Sequence, residues 1–303
     1  MQPAAYLNGR FLPVSEAAIP LHDAGFVLGA TVSEQLRTFA GAIFRLDEHL
    51  ARLERSLAII DVPLPIPLAE VATIARKLVE QNHRLLAPEH DLGVAILATP
   101  GPYAGFSPAT DEGPTLCVYT YPLAFHLWAG RYQQGQSLVT TSIQQVPAAC
   151  WPAELKCRSR MHYYLADIEA RRRSPGARAL MHDSGGHLTE TSTANLVLVD
   201  DHERLISPPG ESILPGVSLA VLKELAVRAG LSWTEQPIEP RRLATAREAL
   251  LTSTPNCLLP ATRFNDQPIG KGVPGPVFRQ LLSAWNDLVG INIQQQAERF
   301  SNR

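Results

Sequence analysis

Imine chemistry needs an amine, and only four side chains here supply one: Lys77, Lys156, Lys223 and Lys271, out of 27 lysines and arginines in all. Lys77 and Lys223 lie in Ile74-Ala75-Arg76-Lys77-Leu78-Val79-Glu80 and Val221-Leu222-Lys223-Glu224-Leu225, at helix positions where the apolar stripe turns away, so both read as solvated. Lys271, between Gly270 and Gly272, reads as a turn residue. Lys156 differs. It follows Cys150-Trp151-Pro152-Ala153-Glu154-Leu155, where proline and large apolar groups favour burial. Desolvation lowers the pKa of an amine, which is what a Schiff-base lysine requires. The competing reading is a lysine that buries its stem and extends its ammonium to water.

Other groups with chemistry lie elsewhere. Glu190 sits in Leu188-Thr189-Glu190-Thr191-Ser192-Thr193-Ala194-Asn195-Leu196, one acid among small hydroxylic residues. It is either a turn carboxylate satisfied by its neighbours or one held ionised to pair with a ring nitrogen. Ile213-Leu214-Pro215-Gly216-Val217-Ser218 opens a helix, whose free N–H groups and positive dipole end face any anion placed there. Thr252-Ser253-Thr254 offers hydroxyl donors, or else a plain surface loop. Arg52, one turn beyond Glu48-His49, offers a guanidinium able to grip a phosphate in bidentate fashion, or else lies on a solvated helix face.

Residues 4–12 alternate around Asn8-Gly9, a type I′ hairpin signal, and 32–44 reads as two strands joined through Ala40-Gly41. Over 47–60 the residues Leu50, Leu53, Leu57 and Ile60 fall at helical spacing, with Asp47 as N-cap and Pro63, Pro65 and Pro67 as the stop. A second amphipathic helix spans 68–86, and strands span 93–99 and 116–121. A less patterned stretch with Pro122 and Gly130 places a domain boundary at 122–135. Beyond it come a strand at 137–142, an apolar turn around Lys156, a helix at 160–173, strands at 177–182 and 194–200, a helix at 217–229 and a short strand at 249–253. This order, without a regular strand–helix–strand repeat, argues for an α+β or mixed α/β fold. The expected division is a small domain over 1–121, a linker over 122–135, a large domain over 136–290 and a tail over 291–303 that frays around Gln294-Gln295-Gln296.

With 303 residues, 45% hydrophobic and 18% charged, the chain can bury a large core, which argues against disorder. A net charge of -2, with Arg171-Arg172-Arg173 the one basic run, gives no reason to expect nucleic acid. No run of eighteen apolar residues occurs and Met1-Gln2-Pro3 opens no leader pattern, so a cytoplasmic protein without a membrane partner is expected. Cys117, Cys150, Cys157 and Cys257 lack metal-ligand spacing; they are expected to be reduced, mostly packing residues, with no metal site.

Taken in order, Asn8-Gly9, Asp23-Ala24-Gly25-Phe26-Val27-Leu28-Gly29, Glu34, Phe44-Arg45-Leu46, Glu48-His49-Leu50 with Arg52-Leu53, Leu155-Lys156, Thr189-Glu190-Thr191-Ser192 with Asn195, Leu214-Pro215-Gly216 and Thr252-Ser253-Thr254 resemble the class IV, fold type IV aminotransferases. The resemblance covers residues 5–285. It implies a two-domain fold, a small α/β domain followed by a larger one with a barrel-like sheet core, and pyridoxal 5′-phosphate as cofactor. It further implies that Lys156 attaches the cofactor and moves the proton, and that Glu190 keeps the pyridine nitrogen protonated. Arg52, the Val217 and Ser218 backbone, the Ser218 hydroxyl and Thr254 would bind phosphate, and Leu214 would pack on the ring. The reaction it implies is ping-pong transamination by a homodimer.

The sequence also departs from the family pattern. Gly29-Ala30-Thr31-Val32-Ser33-Glu34 puts Ser33 where a carboxylate-contacting tyrosine is common, and Thr99-Pro100-Gly101-Pro102-Tyr103 lacks the Arg-x-His pair of D-amino-acid aminotransferases. Pro255 removes a backbone N–H that branched-chain enzymes offer to substrate. Met161 stands where those enzymes place a tyrosine, and the spacing from Lys156 to Arg160 resembles the aminodeoxychorismate lyase branch. A carboxylate left unpaired in a dry pocket costs several kcal/mol. Ser33 and Pro255 therefore line an altered pocket, and Gln35, Arg37, Arg158 and Arg160 are the candidates for a rearranged carboxylate site. The leading expectation is transfer from a D-amino acid, with (R)-primary amines also accepted, to a 2-oxo acid. A branched-chain L-amino-acid aminotransferase and a pyruvate-releasing lyase are the alternatives, and a degenerate binding protein is the non-enzymatic one.

Overall fold

The computed structural model describes residues 2–106 and 113–301. Residues 1 and 107–112 of the expected small domain and 302–303 of the expected tail lie outside the described residues. The chain divides into two compact units, Met1–Leu123 with Leu155–Ser159, and Ala124–Glu154 with Arg160–Arg303.

The first unit is a six-stranded antiparallel sheet in the order Arg10–Pro13, Ala4–Leu7, Thr115–Pro122, Leu92–Thr99, Val32–Phe39, Ala42–Ile43. Its opening hairpin turns at Asn8 (φ 44) and Gly9 (φ 85), both left-handed as a type I′ turn requires. Helices Leu46–Ile59 and Leu68–His83 supply Leu50, Leu53, Leu57, Val71, Ile74 and Leu78 to a core that also takes Val32, Leu36, Val94, Ile96 and Val118 from the sheet. Each fully buried side chain of this kind contributes about 1.5–3 kcal/mol. Asp47 is not the N-cap: the cap position is Arg45, left-handed at φ 55, and Asp47 lies with Glu48 in the first turn, where their charges favour the helix dipole.

The second unit is built on a closed sheet. Strands Asn195–Val199, Glu248–Ser253, Cys257–Phe264, Gln136–Thr140, Arg178–His182 and Leu188–Thr191 pair in that order, and the Asn195–Glu190 pairing closes the ring. Leu205–Ser207 and Trp233–Glu235 extend it sideways from Asn195–Val199. Helix Val217–Arg228 packs on strand Glu248–Ser253, and helix Met161–Arg173 packs on Arg178–His182 through Ala166 and Ala170. The frayed end expected at Gln294–Gln296 is instead the helix Ile293–Arg299. Asn292 caps it, Ile293, Gln296 and Ala297 are buried, and the Phe300 ring lies 5.9 Å from that of Phe125. The glutamine run obscured an i, i+3, i+4 buried face.

Candidate active site

Of the four lysines, Lys156 alone is not exposed; it is half-buried. Lys77 lies 4.2 Å over the Phe11 ring, and Lys223 pairs with Glu235 at 3.0 Å. The first unit holds the Lys156 segment by its backbone. Ser33 N donates to Lys156 O (3.0 Å), Lys156 N to Ser56 Oγ (3.2 Å) and Arg158 N to Thr31 O (2.7 Å). Ser159 Oγ donates to Gly29 O (2.8 Å), beside a glycine at φ 68. A β-branched or bulky residue at that angle would be strained, so Gly29 permits the turn that receives the segment.

Directly behind this segment lies an ion cluster. Glu34 is on strand Val32–Phe39, between the core residues Val32 and Leu36, so alternation sends its carboxylate under helix Leu46–Ile59. There Arg52 Nε and Nη2 each meet a Glu34 oxygen at 2.7 Å, and His49 Nδ1 meets Oε2 at 2.7 Å. Burial pushes the Glu34 carboxyl up, but the hydrogen bonds and charge of Arg52, with help from His49, outweigh it and hold the group at about 2. His49 is pushed down, first by burial, and the positive charges of Arg52 and Lys156 add to that. Arg52 is thus neither solvated nor loosely placed: the Nε–Nη2 edge of its guanidinium is taken up by Glu34, so that edge is not the one that could grip a phosphate. Glu34 and His49 went unassigned at the sequence level, although an acid at a core position of an alternating strand is a signal that a buried partner must exist.

The other residues singled out above on strand Val32–Phe39 fall on the opposite sheet face. Ser33, Gln35 and Arg37 alternate with the core-facing residues. Arg37 is 1% exposed, stacks 4.0 Å over the Phe39 ring and donates Nε to Thr38 O at 3.2 Å. In register it lies opposite Gly93 and then Tyr121, whose ring is 2.3 Å from where a Gly93 Cβ would stand. Arg158 is exposed, and its charge acts on Tyr121.

In the second unit Glu190 is buried and surrounded by donors. Tyr163 Oη (2.9 Å) and Gln145 Nε2 (3.1 Å) meet Oε1, Asn195 Nδ2 (3.0 Å) meets Oε2, and Leu214 N lies 3.3 Å from Oε2. Asn195 Nδ2 also donates to Leu214 O at 2.9 Å, tying the Glu190 strand to the loop that starts helix Val217–Arg228. That loop needs Gly216, because a Cβ there would stand 2.1 Å from Asn195 Oδ1. Among the described residues no side chain caps this helix. The Ser218 and Thr254 hydroxyls make no hydrogen bond among the described residues, and the first-turn N–H groups have no intrahelical acceptor. Thr254 and Pro255 are half-buried in the turn between Glu248–Ser253 and Cys257–Phe264. Arg160 donates to Ser192 O and stacks 4.7 Å over the Tyr163 ring, while Met161 is exposed.

The chain is 28% identical over 283 residues to the D-alanine aminotransferase of Bacillus licheniformis, covering 91% of this chain and 94% of that one. Its structure is similar to that of the T.th. branched-chain amino acid aminotransferase complexed with N-(5′-phosphopyridoxyl)-L-glutamate, with a TM-score of 0.84, 25% identity, and 96% and 95% of the two chains covered. The branched-chain amino acid aminotransferase of Escherichia coli shares the fold, with a TM-score of 0.87, 23% identity and 95% of each chain covered. The family model for class IV amino-transferases matches residues 31–264, and the chain belongs to that family.

Proposed function

We propose that the protein is a pyridoxal 5′-phosphate-dependent transaminase that moves an amino group from a D-amino acid, and from (R)-primary amines, to a 2-oxo acid. The observation that carries the transaminase reading is that the one half-buried lysine of the four lies outside any helix, on a segment fixed by Lys156 N to Ser56 Oγ and by Ser33 N to Lys156 O. When bound, the coenzyme supplies an aldehyde and a cationic ring that accepts electrons from the substrate carbon. The donor set fits such a molecule: an acceptor-only carboxylate for a ring N–H, and an uncapped helix start with hydroxyls for a phosphate.

In this reading Lys156 Nζ holds the coenzyme and moves the substrate Cα proton. Glu190 accepts from the ring nitrogen, Leu214 packs on the ring, and Arg52, Val217 N–H, Ser218 and Thr254 bind phosphate. Ser33, Gln35, Arg37, Arg158, Arg160 and Pro255 remain the substrate-side candidates. Arg37 leads them because it is a buried guanidinium on the sheet face that also carries Tyr121. A homodimer in the cytoplasm is part of the proposal; Leu21, Phe26 and Phe106 in one unit and Met161 in the other are exposed apolar residues, and no disulfide joins the four cysteines.

Support for the D-amino-acid reading comes from the D-alanine aminotransferase relative, and support for a branched-chain L-amino-acid reading comes from the solved neighbours. Half-reactions with D-alanine, L-leucine and (R)-1-phenylethylamine, followed by coenzyme absorbance, separate them. Conversion by D-alanine is expected, and conversion by L-leucine alone overturns the stereochemical proposal. Pyruvate released from aminodeoxychorismate without an amino acceptor would point to the lyase instead.

A further inference from the structure

Glu190 does not stand alone: behind it is a second layer of side chains that the reaction itself does not call for. Tyr163, on helix Met161–Arg173, donates its hydroxyl to Glu190 Oε1 at 2.9 Å. Gln145 spends both amide hydrogens on the same pair, on Tyr163 Oη at 2.8 Å and on Glu190 Oε1 at 3.1 Å. Its carbonyl Oε1 is buried and has no hydrogen-bond partner among the described residues. Turning the amide over would set that oxygen 3.1 Å from Glu190 Oε1, where lone pairs on both atoms repel, and would draw the Tyr163 hydroxyl away from the carboxylate. An unsatisfied buried acceptor is costly, so the chain tolerates it where the two donations matter. Arg160 completes the layer by stacking over the Tyr163 ring while donating to Ser192 O, two residues beyond Glu190.

We infer that Tyr163 is a positioning residue for Glu190, held in place by Gln145 and Arg160, and that its hydroxyl fixes the carboxylate as a weak, oriented acceptor. This rests on the reading of Glu190 as the partner of the coenzyme's ring nitrogen. Burial, and then the Glu190 charge, push the Tyr163 hydroxyl well above its ordinary range, so it stays a donor throughout the working pH range. A carboxylate that accepts from several donors is a weaker base, and a ring proton facing it stays on the nitrogen. Take one donor away and the carboxylate pulls that proton toward itself.

The test is the 15N resonance of the pyridine nitrogen in holoenzyme loaded with 15N-labelled pyridoxal 5′-phosphate, measured for the wild type, Tyr163→Phe, Gln145→Leu and Glu190→Gln. Tyr163→Phe is expected to move the resonance part of the way toward the unprotonated value and to slow the amino-donor half-reaction about 10-fold, with KM changed less than about twofold. Its melting temperature is expected to fall by only a few degrees, since one buried hydroxyl with two hydrogen bonds is removed and the ring packing is kept. A resonance displaced by Glu190→Gln but unmoved by both Tyr163→Phe and Gln145→Leu overturns the inference and leaves the role of Glu190 standing. A resonance unmoved by Glu190→Gln removes both. Should Tyr163→Phe fail to yield holoenzyme, Gln145→Leu decides by the same shift.

Discussion

Glu34 and Arg52 form a two-point buried ion pair, Nε to Oε1 and Nη2 to Oε2, both at 2.7 Å, with Glu34 wholly buried and Arg52 3% exposed. A buried pair adds little net stability over an apolar one, yet removing one partner strands the other charge. Glu34→Ala is therefore expected to cost about 3–5 kcal/mol, read as a drop in the denaturation midpoint. The double variant Glu34→Leu/Arg52→Met should recover much of it while losing affinity for pyridoxal 5′-phosphate. Equal midpoints for Glu34→Ala and wild type would show that the pair is not closed off from water in solution.

Acid should loosen the first unit early. The Glu34 carboxyl is held at about 2, below its ordinary 4.5, so its stabilisation is present above 4.5 and is lost as pH falls toward 2. His49 is lowered, so as pH drops through 6.5 the unfolded chain takes up its proton before the folded one does, which also favours unfolding. Denaturation midpoints should decline from about pH 6.5 downward, and Glu34→Gln/His49→Gln should flatten that slope. An unchanged slope in the double variant would place the acid sensitivity elsewhere.

The fold was legible where local chemistry decides it. Asn8-Gly9 marked its hairpin, and the apolar spacing of Leu50, Leu53 and Leu57 marked the helix that carries Arg52. It was illegible where a tertiary partner overrides the local signal. Pro260 sits inside strand Cys257–Phe264, opposite Leu250, and a proline there argues against a strand until its neighbours are known. Helix Pro276–Val289 is absent from the elements read off the sequence, although Pro276 at its start and Gly290 at its end, left-handed at φ 68, are ordinary boundary signals. Lys156, Glu190 and Ser218 could be singled out from residue type and setting. Tyr163 and Gln145 could not, because nothing in their own segments shows that they point at Glu190, 27 and 45 positions away.

Gly216→Ala tests the link between Asn195 and the helix start. The backbone there, φ -67 and ψ 130, suits alanine, so the effect must come from the collision with Asn195 Oδ1. A cost of about 1–3 kcal/mol is expected, with weaker coenzyme binding as Glu190 loses a donor. Adding Asn195→Ala should cost less than the sum of the two single changes. Strict additivity would show that the two residues do not meet.

Removing the Ser218 and Thr254 hydroxyls should act on coenzyme affinity rather than on folding. Ser218→Ala and Thr254→Val are each expected to weaken pyridoxal 5′-phosphate binding by about 1.5–3 kcal/mol, roughly 10- to 100-fold, by equilibrium dialysis. Unchanged dissociation constants would move the phosphate away from the start of helix Val217–Arg228.

Arg37→Ala separates carboxylate binding from chemistry. The KM for an amino acid donor should rise about 10- to 100-fold, while (R)-1-phenylethylamine, which has no carboxylate, should be unaffected. Equal losses for both donors would assign Arg37 a structural role.

Reduction of the purified holoenzyme with borohydride, followed by peptide mass mapping, bears most directly on the chemistry assigned to the half-buried amine. The expected result is a phosphopyridoxyl group on Lys156 and on no other lysine, with loss of the label in Lys156→Ala. A label on Lys77, Lys223 or Lys271, or no covalent label at all, would contradict it.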